Sequence, residues 1–181
     1  MLKKHVQNPV VRNILEWLIS IVIALAIFLI IDNFVMRSAR VQGASMEPSY
    51  VHGDRVIINR FIYRFAEPQR GDVIAFPYFL DPGYYYIKRI VGVPHDVIDM
   101  VDGFIYLNGQ RLDDDFSSYP VFSGSVSFPV YVEPDTFFVL GDNRRISEDS
   151  RFVEVGNVYV GDIIGRINFR WFPFTRLGFV D

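Results

Sequence analysis

A single serine stands out in the stretch Gly43-Ala44-Ser45-Met46-Glu47-Pro48-Ser49, just past a long apolar run. The Glu47-Pro48 step disfavours helix, so Ser45 is expected on a loop or an extended segment. Its hydroxyl can act as a nucleophile only if a neighbouring group takes its proton. Histidine is the common choice, but His5 precedes the apolar run, while His52 before Gly53-Asp54 and His95 after Pro94 look like turn positions. A Ser-x-x-Lys pair is absent, because Pro48 occupies the third place after Ser45. An amine is available further on, in Tyr84-Tyr85-Tyr86-Ile87-Lys88-Arg89-Ile90-Val91. On a strand, Tyr86, Lys88 and Ile90 share one face and Ile87, Arg89 and Val91 the other. One of these faces should be buried. A buried lysine is uncommon, because desolvation opposes its charge and lowers its pKa towards the range where an amine can accept a proton. A strand-edge lysine with its ammonium in water is the plain alternative, and this stretch alone leaves both readings open. A third polar stretch, Gly141-Asp142-Asn143-Arg144 continuing to Ser147, Asp149 and Arg151, offers supporting groups.

Two kinds of element are needed to place these residues. The chain has 181 residues, is 50% hydrophobic and has a mean hydropathy of +0.20, high for a wholly soluble protein. From Ile14 to Met36 it is apolar apart from Glu16, Ser20, Asp32 and Asn33. About 20 apolar residues cross a bilayer as a helix. A cleaved signal peptide would need a small-x-small site directly after its apolar core. Asp32-Asn33-Phe34-Val35-Met36 does not supply one. The expectation is an uncleaved anchor over residues 14–36, preceded by a short segment, 1–13. Lys3, Lys4 and Arg12 before the span outnumber Arg37 and Arg40 after it, a small bias for a cytoplasmic N-terminus.

Residues 37–181 read as a β-rich domain. The 17 Phe and 10 Tyr favour strands. Asp54–Asn59, Asp72–Phe76, Tyr84–Val91, Val126–Val132, Thr136–Leu140 and Asn157–Trp171 are short β-branched and aromatic runs punctuated by Gly and Pro. Val97–Leu112 reads as two consecutive hairpins with turns at Asp102-Gly103 and Asn108-Gly109. Residues 113–124 are expected to form a solvated loop without a metal role. The fold class is therefore all-β, a folded or partly closed barrel, behind one N-terminal transmembrane helix. A net charge of −3 gives no support for nucleic-acid binding, and with 0 Cys there can be no disulfide or Cys-ligated zinc.

Four ordered blocks resemble the bacterial type I signal peptidases, in a single-span form like that common in Gram-positive bacteria. They are Ser45-Met46-Glu47-Pro48; Gly53-Asp54-Arg55-Val56 with Asn59; Tyr86-Ile87-Lys88-Arg89 leading to Gly92, Pro94 and Asp96; and Gly141-Asp142-Asn143-Arg144 with Ser147, Asp149, Ser150 and Arg151. Arg70-Gly71-Asp72-Val73 also resembles the family. The resemblance implies a membrane-bound serine endopeptidase with a Ser/Lys dyad and no cofactor. Ser45 would be its nucleophile and Lys88 its general base. Ser147 would orient the lysine amine, with Asp149 and Arg151 paired behind it and Asp142 nearby. Met46, Tyr86 and Ile87 would line shallow pockets reading an Ala-x-Ala type site. The implied partners are signal peptides of exported preproteins and the lipid bilayer, with the secretion machinery a further candidate. The domain would lie on the outer face of the cytoplasmic membrane.

Three positions depart from the pattern. Gly43 stands where some members have a serine that helps the oxyanion hole, Arg145-Ile146 where Asn is frequent at the second place, and His95 where Gly is common. Gly43 and the Ser45 backbone then become the oxyanion region. Met36 and Ser45 are nine residues apart, so they lie no farther than about 30 Å from each other. A membrane-tethered, inactive β-domain that binds an exported peptide or protein is the alternative reading.

Overall fold

Pro9 opens a 22-residue helix, α1 (Pro9–Ile30), in the position where a missing N–H costs nothing. The computed structural model describes residues 9–30, 35–78, 84–113, 116 and 120–180. The chain divides into two units, Met1–Met36 and Arg37–Asp181. In the first unit α1 is long and apolar enough to cross a membrane, and its apolar side chains are exposed, Trp17 and Phe28 among them. Its polar residues are accommodated locally. Ser20 Oγ donates to the Glu16 carbonyl at 2.8 Å, and Arg12 lies 3.8 Å from the Glu16 carboxylate. The helix starts earlier than the apolar run suggests and includes Arg12, since charge does not stop a helix as Pro or Gly does. Residues 31–34 of the expected span lie outside the described residues.

The second unit is all-β, with short 3₁₀ turns. Its strands are β1 (Met36–Arg40), β2 (Arg55–Asn59), β3 (Val73–Pro77), β4 (Tyr85–Gly92), β5 (Val97–Val101), β6 (Phe104–Leu107), β7 (Gln110–Arg111), β8 (Val130–Tyr131), β9 (Thr136–Leu140), β10 (Val158–Tyr159), β11 (Gly165–Phe172) and β12 (Gly178–Phe179). One sheet runs β1-β2-β11-β3-β4-β9-β10, with β12 beside β11; the other runs β7-β6-β5-β8. Among the described residues β1 and β10 do not pair with each other, so the sheet is open and not closed into a barrel.

The two hairpins form as the turn residues predict. Asp102, Gly103, Asn108 and Gly109 all take positive φ, between 51° and 80°, as type I′ turns require. The expected strand Val126–Val132 shrinks to Val130–Tyr131, since Pro129 has no N–H for a ladder. Asn157–Trp171 splits into β10, a 3₁₀ turn at Val160–Asp162 and β11. β1 falls on residues read as the end of the anchor and its exit; Met36-Arg37-Ser38-Ala39-Arg40 carries no apolar alternation to announce it. Asp114, Asp115 and residues 117–119 of the expected loop lie outside the described residues.

β4 is the strand that matters most. Only one of its faces was expected to be buried, yet both are covered. Ile87 packs on the core of Val41, Met46, Tyr50, Val56, Ile58, Val73, Ala75 and Ile167. Tyr86 and Ile90 pack on a second core, containing Ile74, Phe76, Phe137, Val139 and Val158. Each fully buried aliphatic or aromatic side chain contributes about 1.5–3 kcal/mol. Packing on both faces holds the backbone at Lys88 rigidly.

Candidate active site

Ser45 sits on a turn anchored by its neighbours. Met46 and Tyr50 are buried in the first core, Tyr50 N–H donates to the Met46 carbonyl at 2.9 Å, and Tyr50 OH donates to the Ile167 carbonyl at 3.3 Å. Burial pushes the Tyr50 pKa up, so its hydroxyl stays a donor. Across from the turn, Lys88 is only 2% exposed, and its Nζ donates to Ser45 Oγ at 2.9 Å. The open question about Lys88 is thereby decided: the amine is inside, on the serine. Desolvation is the main cause of a pKa lowered to about 8, with the Asp149 carboxylate pulling the other way. At pH 7 about a tenth of such amines are neutral, against a few in ten thousand at the ordinary lysine value.

The supporting residues are brought to the same place, with two differences. Asp149 and Arg151, both fully buried, form a two-pronged pair at 2.8 and 2.9 Å. Asp149 also accepts the Gly141 N–H at 3.1 Å, and Arg151 donates to the Ser147 carbonyl at 3.2 Å. Asn143 N–H in turn donates to the Ser45 carbonyl at 3.0 Å. The pair therefore holds the two segments that flank the nucleophile. Breaking such a buried pair from one side costs about 3–5 kcal/mol. Asp142 does not join it. Its carboxylate faces Arg89, with both bonds at 2.8 Å, on the face of β4 opposite Lys88. Ser147 is buried, but its Oγ has no hydrogen-bond partner among the described residues; the expected bond to the lysine amine is not formed.

Gly141 is the closest approach in the site. A Cβ there would lie 2.2 Å from Ser147 Oγ and 2.4 Å from the Ser45 carbonyl oxygen. The second contact is backbone and cannot rotate away. Gly141→Ala is expected to displace Ser45 and lower kcat/KM by about 10² or more, as misplacement by about 1 Å can. Steady-state kinetics with circular dichroism to confirm folding would check it, and near-normal kcat/KM would contradict it.

His5 lies outside the described residues, and His52 and His95 are engaged elsewhere. His52 Nδ1 accepts the Gly43 N–H at 3.2 Å, and His95 Nδ1 pairs with Tyr131 OH at 2.8 Å. Gly43, at φ 84°, thus has its N–H directed to His52. The Ser45 N–H has no acceptor among the described residues.

Ser45 and Lys88 open into a groove of about 570 Å³ between the segment Arg37–Met46 and the stretch Tyr84–Lys88. Met46, Tyr86 and Ile87 line it, together with Ile58, Ile146 and Glu148. Its two sides are strand edges. β1 pairs only with β2, and β4 meets β9 only from Arg89 onward, so Tyr85–Lys88 has strand pairing on the β3 side alone among the described residues. Arg37 Nη1 donates to Tyr85 OH at 2.9 Å and links the two edges. Glu148, Arg37 and Tyr85 were not picked out from sequence: an exposed acid, a basic residue past an anchor and one tyrosine among three give no signal of their own.

A hydroxyl against a partly neutral amine, beside a groove with strand edges on both sides, describes a peptidase. The family model described as signal peptidase, peptidase S26, matches residues 14–172. The chain belongs to this family of serine peptidases, and its activity is the removal of signal peptides from preproteins. Among similar proteins, signal peptidase IB of Staphylococcus aureus (strain COL) is 31% identical over 91% of this chain and 93% of its own. Signal peptidase I P of Bacillus subtilis subsp. natto is 33% identical over 91% and 92%. A crystal structure of a signal peptidase I from Enterococcus faecalis V583 is 28% identical, covers 56% of this chain and 97% of its own, and has a TM-score of 0.46.

Proposed function

We propose that Ser45 and Lys88 are the catalytic dyad; the 2.9 Å Nζ–Oγ contact at a buried amine is the observation that carries this reading. The neutral amine takes the Ser45 proton as Oγ attacks the scissile carbonyl carbon. The resulting ammonium returns that proton to the leaving nitrogen as the C–N bond breaks, leaving an ester on Ser45. Water then attacks the ester carbonyl as Lys88 takes its proton, the Oγ–acyl bond breaks, and the proton passes back to Ser45 Oγ as the acid product leaves. The Ser45 N–H is the candidate oxyanion donor, since Gly43 has no side chain and its own N–H is bonded to His52. Asp149 and Arg151 act behind the dyad by holding Gly141 and Ser147.

The substrate lies as an extended strand in the groove, bonding to the free edges of β1 and β4. Met46, Ile58 and Ile87 pack into the core and line the groove, a floor suited to shallow apolar pockets. This supports an Ala-x-Ala type site. Replacing either Ala of a preprotein site by Leu is expected to lower kcat/KM about five- to 150-fold, the size of an overpacking cost of roughly 1–3 kcal/mol. Equal rates for the Ala and Leu sites would count against these pockets.

On this reading α1 (Pro9–Ile30) is the membrane anchor, the residues before it lie on the cytoplasmic side and residues 37–181 form the domain outside. α1 is about 33 Å long at 1.5 Å per residue, enough for a hydrocarbon layer of about 30 Å. The bilayer and the secretion machinery are partners on this reading, because a preprotein arrives with its own apolar segment still in the membrane.

A further inference from the structure

Tyr86 stands between the lysine and an acid that the mechanism has not used. Its ring lies beneath Lys88 Nζ, 5.1 Å from nitrogen to centroid. Its hydroxyl donates to Glu148 Oε2 at 3.3 Å. Both residues line the groove, and Glu148 follows directly on the buried Ser147. An aromatic face attracts an ammonium more than a neutral amine, and the attraction depends on where the ring sits. The inner part of its ring packs on the second core and against Phe76 and Tyr78. The bond to Glu148 is what ties its outer end.

Resting on the dyad reading above, we propose that Glu148 is a positioning residue for the general base: it holds the Tyr86 ring under Lys88 Nζ, and through ring and charge it sets how readily the amine gives up its proton. The charges around the amine are Asp149, Glu148, Arg151 and Asp142, in falling order of influence, and only Arg151 opposes the ammonium. Glu154 and Tyr78 face Tyr86 besides Glu148, and the Tyr86 hydroxyl is held protonated, pushed up to about 12 by burial and by the Glu148 carboxylate. Of the carboxylates at Lys88, Asp149 is committed to Arg151 and Asp142 to Arg89. Glu148 is the exposed one, in contact with solvent and with the substrate groove.

Three variants of the full-length protein separate the ring from the charge, read as the pH dependence of kcat/KM on one preprotein. Glu148→Gln keeps an acceptor for Tyr86 OH and removes the charge. The acidic limb is expected to move to lower pH by several tenths of a unit, the scale of an exposed charge near a buried one. The shift should shrink at about 1 M salt, where the screening length falls to roughly 3 Å. Glu148→Ala should show the same shift and, because the ring is released, a plateau about three- to tenfold lower. Tyr86→Phe keeps the charge and releases the ring, so its plateau should fall and its limb should move to lower pH by less than that of Glu148→Gln. Limbs that coincide for Glu148→Gln, Glu148→Ala and the parent would overturn the proposal. So would plateaus for Glu148→Ala and Tyr86→Phe equal to that of the parent. Failure of the dyad reading itself looks different, since Lys88→Arg would then retain activity whatever stands at position 148.

Discussion

Lys88→Arg is expected to fold and to lose about 10²–10⁴ of kcat/KM, although it keeps the positive charge. General base catalysis by a positioned group is worth about 10²–10⁴, and a guanidinium cannot shed its proton at working pH. Lys88→Met should be equally inactive. The folded pKa of Lys88, about 8, lies below its ordinary 10.5. The unfolded chain therefore binds more protons between those values, and this residue's contribution to stability rises with pH across that window. Below about pH 8 the buried ammonium costs about 3 kcal/mol. Met has similar length and no such cost, so Lys88→Met should be at least as stable as the parent at pH 7 and lose that advantage above pH 10.5. In the parent, kcat/KM should climb with pH through about 8, as Lys88 deprotonates in the free enzyme. Denaturant unfolding and pH–rate profiles check both parts. An active Lys88→Arg would mean that the residue supplies charge and not basicity. His52 and His95 would be poor replacements, each being bonded elsewhere.

Ser45→Ala is expected to be still more damaging to the chemistry and almost silent in the fold. The side chain contributes one hydrogen bond, to Lys88, while the turn is held by Met46, Tyr50 and the Ser45 carbonyl, all of which remain. Removing a serine nucleophile leaves only what binding and the oxyanion donors supply, a loss of about 10⁶ in well-studied serine peptidases. Preprotein cleavage followed by gel mobility, alongside thermal unfolding, measures both. Cleavage at a near-normal rate would remove Ser45 from the mechanism.

Ser45 and Lys88 were legible only as members of an ordered set. The serine turn and the lysine in an aromatic and β-branched strand each admit a plain structural reading alone, and the four blocks in order single them out. Strand positions are legible from local composition, as at Tyr85–Gly92, Thr136–Leu140 and the two Asx-Gly turns. What was not legible depends on partners far along the chain. Whether Asp142 faces Lys88 or Arg89 is decided by the register of β4 on β9, where Arg89 stands opposite Leu140. The orphan hydroxyl of Ser147 and the tie from His52 to Gly43 depend on loop paths that no periodicity encodes. Closure of the sheet was overexpected because alternation marks which residues are strands and not whether the first and last of them meet.

The dyad is tested most directly by finding where an acyl group goes. The full-length enzyme would be treated with a peptidyl ester ending in Ala with an activated leaving group, quenched in acid and mapped by mass spectrometry, beside Ser45→Ala and Lys88→Met. The expected result is a single acyl group on Ser45 of the parent, none on Ser45→Ala, and acylation of Lys88→Met slowed by about 10² or more. The same acyl group on Ser45→Ala, or acylation of Lys88→Met at the parent rate, would contradict the account.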